Sequence, residues 1–286
     1  MPGQVIKYNK SEVVKMYTKQ DLKAHLQAMG LVSTDAVMLH SSMKAIGAVE
    51  GGADTVVDAF MEYLSEGLFM TPAHTWAQMS ETHACFDPAA EPACVGIIPN
   101  LFLKRPGVVR SLHPTHSIAA AGPMAAEYVR GEEKCTTPCS PGGCWDRLRH
   151  IHAKILLAGV THSRNTFIHS IEEVLEVPER FTPEPAAFQI KMPGGSRKEV
   201  RVYRHYNPHT AHISESFDKL SEAFYAVGAA EKVSFGQAEC ILCDAEGLFD
   251  VTCRVLSHEL NCLMDRERIP EQWWEGAFIQ SGRFFL

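Results

Sequence analysis

The sequence predicts an α/β fold: a single domain with a mixed central sheet flanked by helices, and a small β-rich insertion in the C-terminal half. Three observations predict it. Apolar runs of strand length stand at residues 36–40, 67–72 and 155–159. Amphipathic stretches of helical period separate and follow them, such as residues 53–65, where Val56, Val57, Phe60 and Leu64 form one stripe. After Pro178 the pattern changes to a proline-interrupted segment and a hairpin signal around Pro193, Gly194 and Gly195.

In chain order, residues 11–29 read as an amphipathic helix with Leu22, Leu26 and Met29 in register and Gly30 as its stop. The strand at 36–40 runs into a small-residue loop, 41–52, and then into the helix at 53–65. Pro72 ends the strand at 67–72. Residues 73–100 show no clean period, and a segment so long suits a lid or a binding wall. Residues 97–104 read as a short helix, 118–121 as an apolar run, 125–130 as a small helix and 145–152 as a bridge. The buried strand at 155–159 leads through a turn to a helix over 166–175. Residues 188–192 and 198–206 form the expected hairpin, and 217–227 a helix. A short strand lies within 233–242, and a long amphipathic helix covers 245–264, its apolar stripe shifting by one at Leu256. No linker divides the 286 residues, so one domain spans 1–286, with 178–212 as a possible subregion.

With 45% hydrophobic and 21% charged residues, the chain can bury a sizeable core. A formal charge of -7 argues against non-specific binding to nucleic acid or to an anionic membrane and allows a cationic small molecule. No stretch reaches the roughly 18 apolar residues of a membrane span. The first ten residues are polar, unlike a secretion signal. Nine cysteines, an odd number, then read as reduced thiols, and the expected location is the cytoplasm.

Two stretches carry chemistry. In the helix at 166–175, His169 and Glu172 stand three apart on one face. An imidazole backed by a carboxylate accepts a proton near neutral pH, although the same spacing also suits a histidine that only caps or packs. Their place, just after a buried strand, is where open α/β sheets hold ligands. The Ser/Gly-rich loop 41–52 before a fresh helix suits an anion, with Lys44 as a possible point charge, or is an ordinary connection. It has neither the phosphate-loop lysine spacing nor G-x-G-x-x-G. Cys135, Cys139 and Cys144 lack paired C-x2-C spacing, and H-E-x-x-H is absent, so no metal is expected and a metal-dependent hydrolase falls behind.

Four blocks give a resemblance: Leu39, His40, Ser41 and Ser42 with Gly47, Gly51 and Gly52; Met70, Thr71 and Pro72 with His74; Arg110 through Ser117 with Gly122; and Asn165, Thr166, His169 and Glu172. In order and separation they resemble the aminoglycoside 3-N-acetyltransferase family, antibiotic acetyltransferases unrelated to the GNAT fold. The match runs from about residue 11 to 173, with a looser similarity through Gly236, Gln237, Ala238 and the last long helix.

The resemblance implies direct acetyl transfer from acetyl-CoA to the 3-amine of a deoxystreptamine aminoglycoside, a polycation. It implies His169 as general base, Glu172 orienting its ring, and Thr166 holding the reacting carbonyl or its oxyanion. Ser41, Ser42, Lys44, Ile46, Gly47, Val49, Gly51 and Gly52 would face the pantetheine and pyrophosphate of CoA, joined by Arg110, His113 and Ser117. A homodimer is compatible with it. The segment 77–94 and the loop 135–144 depart from the pattern of resistance enzymes, so the same scaffold acylating a non-antibiotic amine is the alternative. Glu81, Asp87 and Glu91 suit a polycationic sugar and suit solvent equally well. The acceptor cleft is expected between residues 73–100 and 203–212.

Overall fold

A computed structural model describes residues 15–209, 212–264 and 267–277. The first half contains α1 (Lys19–Ala28), β1 (Ala36–Ser41), α2 (Met43–Ile46), α3 (Ala53–Tyr63), β2 (Leu68–Pro72), β3 (Cys85–Phe86), α4 (Ile97–Phe102), β4 (Val109–Arg110), β5 (Ile118–Ala121) and α5 (Ala125–Tyr128). The second contains α6 (Cys144–His150), β6 (Lys154–Ala158), α7 (Phe167–Val174), β7 (Ala186–Lys191), β8 (Arg197–Val202), α8 (Ser221–Ala226), β9 (Ala230–Phe235), β10 (Ala238–Asp244) and α9 (Ala245–His258).

Seven strands form one sheet in the order β4-β5-β2-β1-β6-β10-β9. β1 lies parallel to both β2 and β6, whereas β5 and β10 join antiparallel, so the sheet is mixed as expected. Alternate residues of a strand enter opposite layers. Val37, Leu39, Leu156 and Ala158 pack into a core shared with α1, α3 and α4. Met38, Ile155 and Leu157 enter a second core shared with α6, α7 and α9. Burial on both faces explains why β1, β2 and β6 read as unbroken apolar runs. The same alternation puts His40 on the Met38 face, its ring centroid 6.0 Å from that of Trp145.

Several expected boundaries move for local reasons. Residues 11–14 of the first helix lie outside the described residues. The helix starts at Lys19 because Thr18 caps it: Thr18 Oγ1 accepts from Asp21 N, and the Asp21 carboxylate accepts from Thr18 N at 2.8 Å. Tyr17 instead bridges Val49. The loop 41–52 contains a helical turn, α2, capped by Ser42. Residues 145–152, expected as a bridge, form most of α6, with Trp145 and Leu148 in the core. Residues 217–227 begin instead as a 3₁₀ segment, Ile213–Leu220, before α8. The strand in 233–242 is a hairpin, β9 and β10, turning at Gly236 (φ 62°). β9 is an edge strand, and its charged Glu231 and Lys232 hide it from an apolar scan. The long helix ends at His258, where Glu259 turns extended (φ -152°), leaving Leu260 at 37% exposure.

The expected hairpin, β7 and β8, forms a second sheet in the order β3-β7-β8. β3 comes from the aperiodic segment 73–100 and lies parallel to β7, Cys85 opposite Gln189. Met79, Phe86, Phe188, Ile190 and Val202 fill its small core. The region 178–212 is therefore stitched to the first half of the chain.

Candidate active site

The C-terminal ends of β1, β2 and β6 open on one cavity of about 630 Å³. β1 delivers His40 and Ser41, β2 delivers Pro72 and then His74, and the turn after β6 delivers Asn165 and Thr166 at the start of α7. Parallel strands ending side by side leave such a crevice. Trp76, Cys94, Val95 and Pro99 form one wall, and Arg204, His205, Tyr206, Asn207 and His212 the other. These are the two segments expected to bound the cleft.

His169 lines the cavity, its Nδ1 3.0 Å from Glu172 Oε2. The other carboxylate oxygen of Glu172 accepts from Arg180 Nε at 2.7 Å. Burial alone would raise the pKa of this carboxyl, but the hydrogen bonds and charges of His169 and Arg180 outweigh it and hold the pKa below the ordinary value. An ionised Glu172 can only accept, so Nδ1 of His169 is the donor in this pair, and in the neutral ring the lone pair lies on Nε2. Phe217 meets the His169 ring edge-on, with centroids 4.8 Å apart, and His205 lies over it at 4.1 Å.

His205 repeats the motif. Its Nε2 stands 3.1 Å from Glu173 Oε1, and Glu173 also accepts from Thr137 Oγ1 and Cys139 N. Burial first, and the neighbouring His169 second, push the His205 pKa below its usual value despite Glu173. Thr166 Oγ1 is 3.2 Å from Nε2 of His74, whose ring packs against Trp145 and His116. Among the described residues, the buried Nδ1 of His74 has no hydrogen-bond partner. Burial, together with neighbouring imidazoles, holds His74 and His116 far below the ordinary histidine value, so both are neutral donors or acceptors.

The remaining expected residues divide. Ser41 reaches the cavity, and Glu172 stands behind His169. Ser42, Lys44, Ile46, Gly47, Val49, Gly51 and Gly52 build the adjoining loop without lining that cavity. Ile46 is buried and its carbonyl accepts from Gln237 N. Gly47 (φ 87°) leaves room for the Gln237 side chain, which a Cβ would meet at 2.4 Å. Arg110, His113 and Ser117 do not line the cavity either. Arg110 donates to Ser117 Oγ and to the carbonyls of Ala73, Pro88 and Glu91, holding the 73–91 loop. Ser117 also donates to Ala73 O, and His113 is tied to Thr137 O. Sequence reasoning did not single out Arg180, Arg204 and His205. Arg180 comes from the proline-interrupted segment after Pro178, and Arg204 and His205 lie just past Val202, where β8 ends four residues before the expected strand boundary at 206.

The nine cysteines are free thiols. Cys135 and Cys144 do not join Cys139 as a metal set among the described residues. Instead Cys139, Glu173 and His205 place donor atoms within 4.8 Å of one another. Three hydrogen bonds already end on Glu173 there, from Thr137 Oγ1, Cys139 N and His205 Nε2.

A model of the family described as aminoglycoside 3-N-acetyltransferase matches residues 38–257. The chain belongs to that family. Among family members it is 26% identical to aminoglycoside N(3)-acetyltransferase III of Salmonella sp over 264 residues, which is 83% of this chain and 91% of the relative. It is 27% identical to aminoglycoside N(3)-acetyltransferase VII of Streptomyces paromomycinus, covering 88% and 94%. Among solved structures, aminoglycoside acetyltransferase AAC(3)-Xa superposes with a TM-score of 0.75 at 26% identity, over 86% of this chain and 94% of that one. AAC-IIIb in its binary complex with CoASH shares the fold with a TM-score of 0.74 at 21% identity, over 85% and 97%. As an aminoglycoside 3-N-acetyltransferase family member the chain is an acyltransferase. Among the described residues no helix is long and apolar enough to cross a membrane.

Proposed function

We propose that this protein transfers the acetyl group of acetyl-CoA directly to an amine, with His169 as general base. The observation that carries the reading is the His169–Glu172 pair, held at 3.0 Å with the second ring nitrogen left for the cavity. A neutral amine attacks the thioester carbonyl, and Nε2 of His169 takes a proton from the nitrogen as the C–N bond forms. The C–S bond then breaks, and the imidazolium returns its proton to the leaving thiolate, giving CoA as the thiol. Glu172 fixes the tautomer and stabilises the imidazolium. Thr166, beside His74, sits where a hydroxyl can hold the developing oxyanion. No cysteine nucleophile is needed, and burial raises the pKa of Cys94, the cysteine among the described residues that lines the cavity. CoA would lie along the loop 41–52 from Ser41, with Arg110 and Ser117 acting through the 73–91 loop they hold and His113 through its tie to Thr137 O.

The names of the relatives point to an aminoglycoside, acetylated at the 3-amine of deoxystreptamine, as acceptor. The second reading is a non-antibiotic amine, and one observation favours it: among the described lining residues, Arg164, Arg180 and Arg204 stand against the one carboxylate of Glu215. Thiol release from acetyl-CoA, measured with an amine panel, tests the common step. His169→Ala should lower kcat by on the order of 10²–10⁴. Equal turnover by the variant and the wild type would remove His169 from the role of base.

A further inference from the structure

The charge of the cavity wall bears on what the amine carries. A polycationic acceptor needs carboxylates facing it, and among the described lining residues Glu215 is the one carboxylate. The acidic residues of the 81–91 loop are turned elsewhere: Glu81 is exposed, Asp87 pairs with Lys191 at 2.7 Å, Glu91 with His83 at 2.9 Å, and none of the three lines the cavity. Glu172 and Glu173 are buried behind the histidines and already accept from them.

Cations, by contrast, are built in. Arg204 lines the wall with its guanidinium set by two backbone carbonyls, Met79 O at 3.2 Å and Trp76 O. Among the described residues no carboxylate pairs with it. Arg180 is 3% exposed and lines the same cavity. Its Nε is fixed on Glu172 and its Nη1 on Pro178 O, while its buried Nη2 lacks a hydrogen-bond partner among the described residues. The lining position of Arg180 therefore adds positive charge behind the wall, and the Arg204 guanidinium, without a carboxylate among the described residues, is the group an oxyanion can meet. His205 adds a second recognition point: with Nε2 on Glu173, its Nδ1 remains an acceptor for a substrate N–H or O–H.

We propose that this cavity selects an acceptor amine that also carries an oxyanion, a carboxylate or phosphoryl group held by Arg204 in a cavity that Arg180 also lines, in preference to a polycation. This rests on the acetyl-transfer reading. The Arg204 guanidinium binds one end of the acceptor, which leaves its amine to be delivered to Nε2 of His169.

The test is thiol release from acetyl-CoA with four acceptor sets: ω-amino carboxylates, aminoalkyl phosphonates, uncharged alkyl amines of matched length, and aminoglycosides. At least one anionic set should exceed its uncharged counterpart and the aminoglycosides in kcat/KM by tenfold or more. Comparing the carboxylate and phosphonate arms then identifies the anion. In Arg204→Gln that advantage should shrink at least tenfold through the acceptor KM, with the KM for acetyl-CoA unchanged, and Arg204→Lys should recover part of it. Thermal melting of both variants checks that they fold. If aminoglycosides or uncharged amines match the anionic acceptors, the anion site is wrong and acetyl transfer stands. A rise in the KM for acetyl-CoA in Arg204→Gln makes Arg204 a contact of CoA and overturns the proposal. No thiol release with any amine, while acetyl-CoA binding persists in calorimetry, sinks the transfer reading beneath it.

Discussion

Glu172 joins two roles that a mutation can separate. It orients His169 and neutralises Arg180, whose side chain is 2% exposed. Glu172→Ala leaves that guanidinium buried and uncompensated, a change that costs about 3–5 kcal/mol. The denaturant midpoint should fall accordingly, and kcat with it. In the double variant Glu172→Gln with Arg180→Met neither charge is left alone, so stability should return toward wild type while kcat stays low. A double variant with normal kcat would show that Glu172 acts only as a structural counter-ion. At this scale the sequence was most legible where spacing on one helix sets the geometry. The three-residue step from His169 to Glu172 predicts their contact. Nothing local predicts that Arg180 closes the other carboxylate oxygen, or that His205, 36 positions after His169, lies over its ring. Those contacts depend on how a proline-interrupted segment packs.

Among the elements, the turn after β6 fixes the entry to the site. Gly159 has φ 71°, and a Cβ there would meet the Ala45 Cβ at 2.2 Å. Ser42 N donates to Ala158 O on the same edge, so β6 and α2 approach through this glycine. Gly159→Ala adds left-handed backbone strain to a steric clash, which together amount to roughly 1–3 kcal/mol. Chemical denaturation should show the loss, and the KM for acetyl-CoA should rise as the loop 41–52 is displaced. An unchanged midpoint and KM would contradict this packing. Strand runs buried on both faces were readable because their apolar character is continuous. The half-exposed edge strand β9 and the two-residue β3 were not, since tertiary pairing rather than pattern defines them.

Across the whole molecule, histidines held neutral in the interior couple stability to pH. Burial drives the pKa of His40 down to about 3, and those of His113 and His162 to about 4, from an ordinary value of 6.5. Below 6.5 the unfolded chain takes up protons at these sites and the folded chain does not, so stability falls with decreasing pH. Each group contributes up to about 1.4 kcal/mol per pH unit until its folded pKa is reached. Denaturation between pH 7 and 5 should show a steep loss, and His162→Gln should flatten the slope by up to one proton. A flat profile would mean that these imidazoles titrate normally in the fold.

The turn of the β9–β10 hairpin has a consequence for synthesis. Gln237 N donates to Ile46 O, so the loop that starts at Ser41 is braced by residues nearly two hundred positions later. The opposite wall waits for β7 to pair with β3. A chain emerging from the ribosome can close its first parallel strands early, yet the crevice beside His169 has no finished rim until the last quarter of the polypeptide is out. Truncated products would therefore carry the His169–Glu172 motif without the chamber that gives it a substrate.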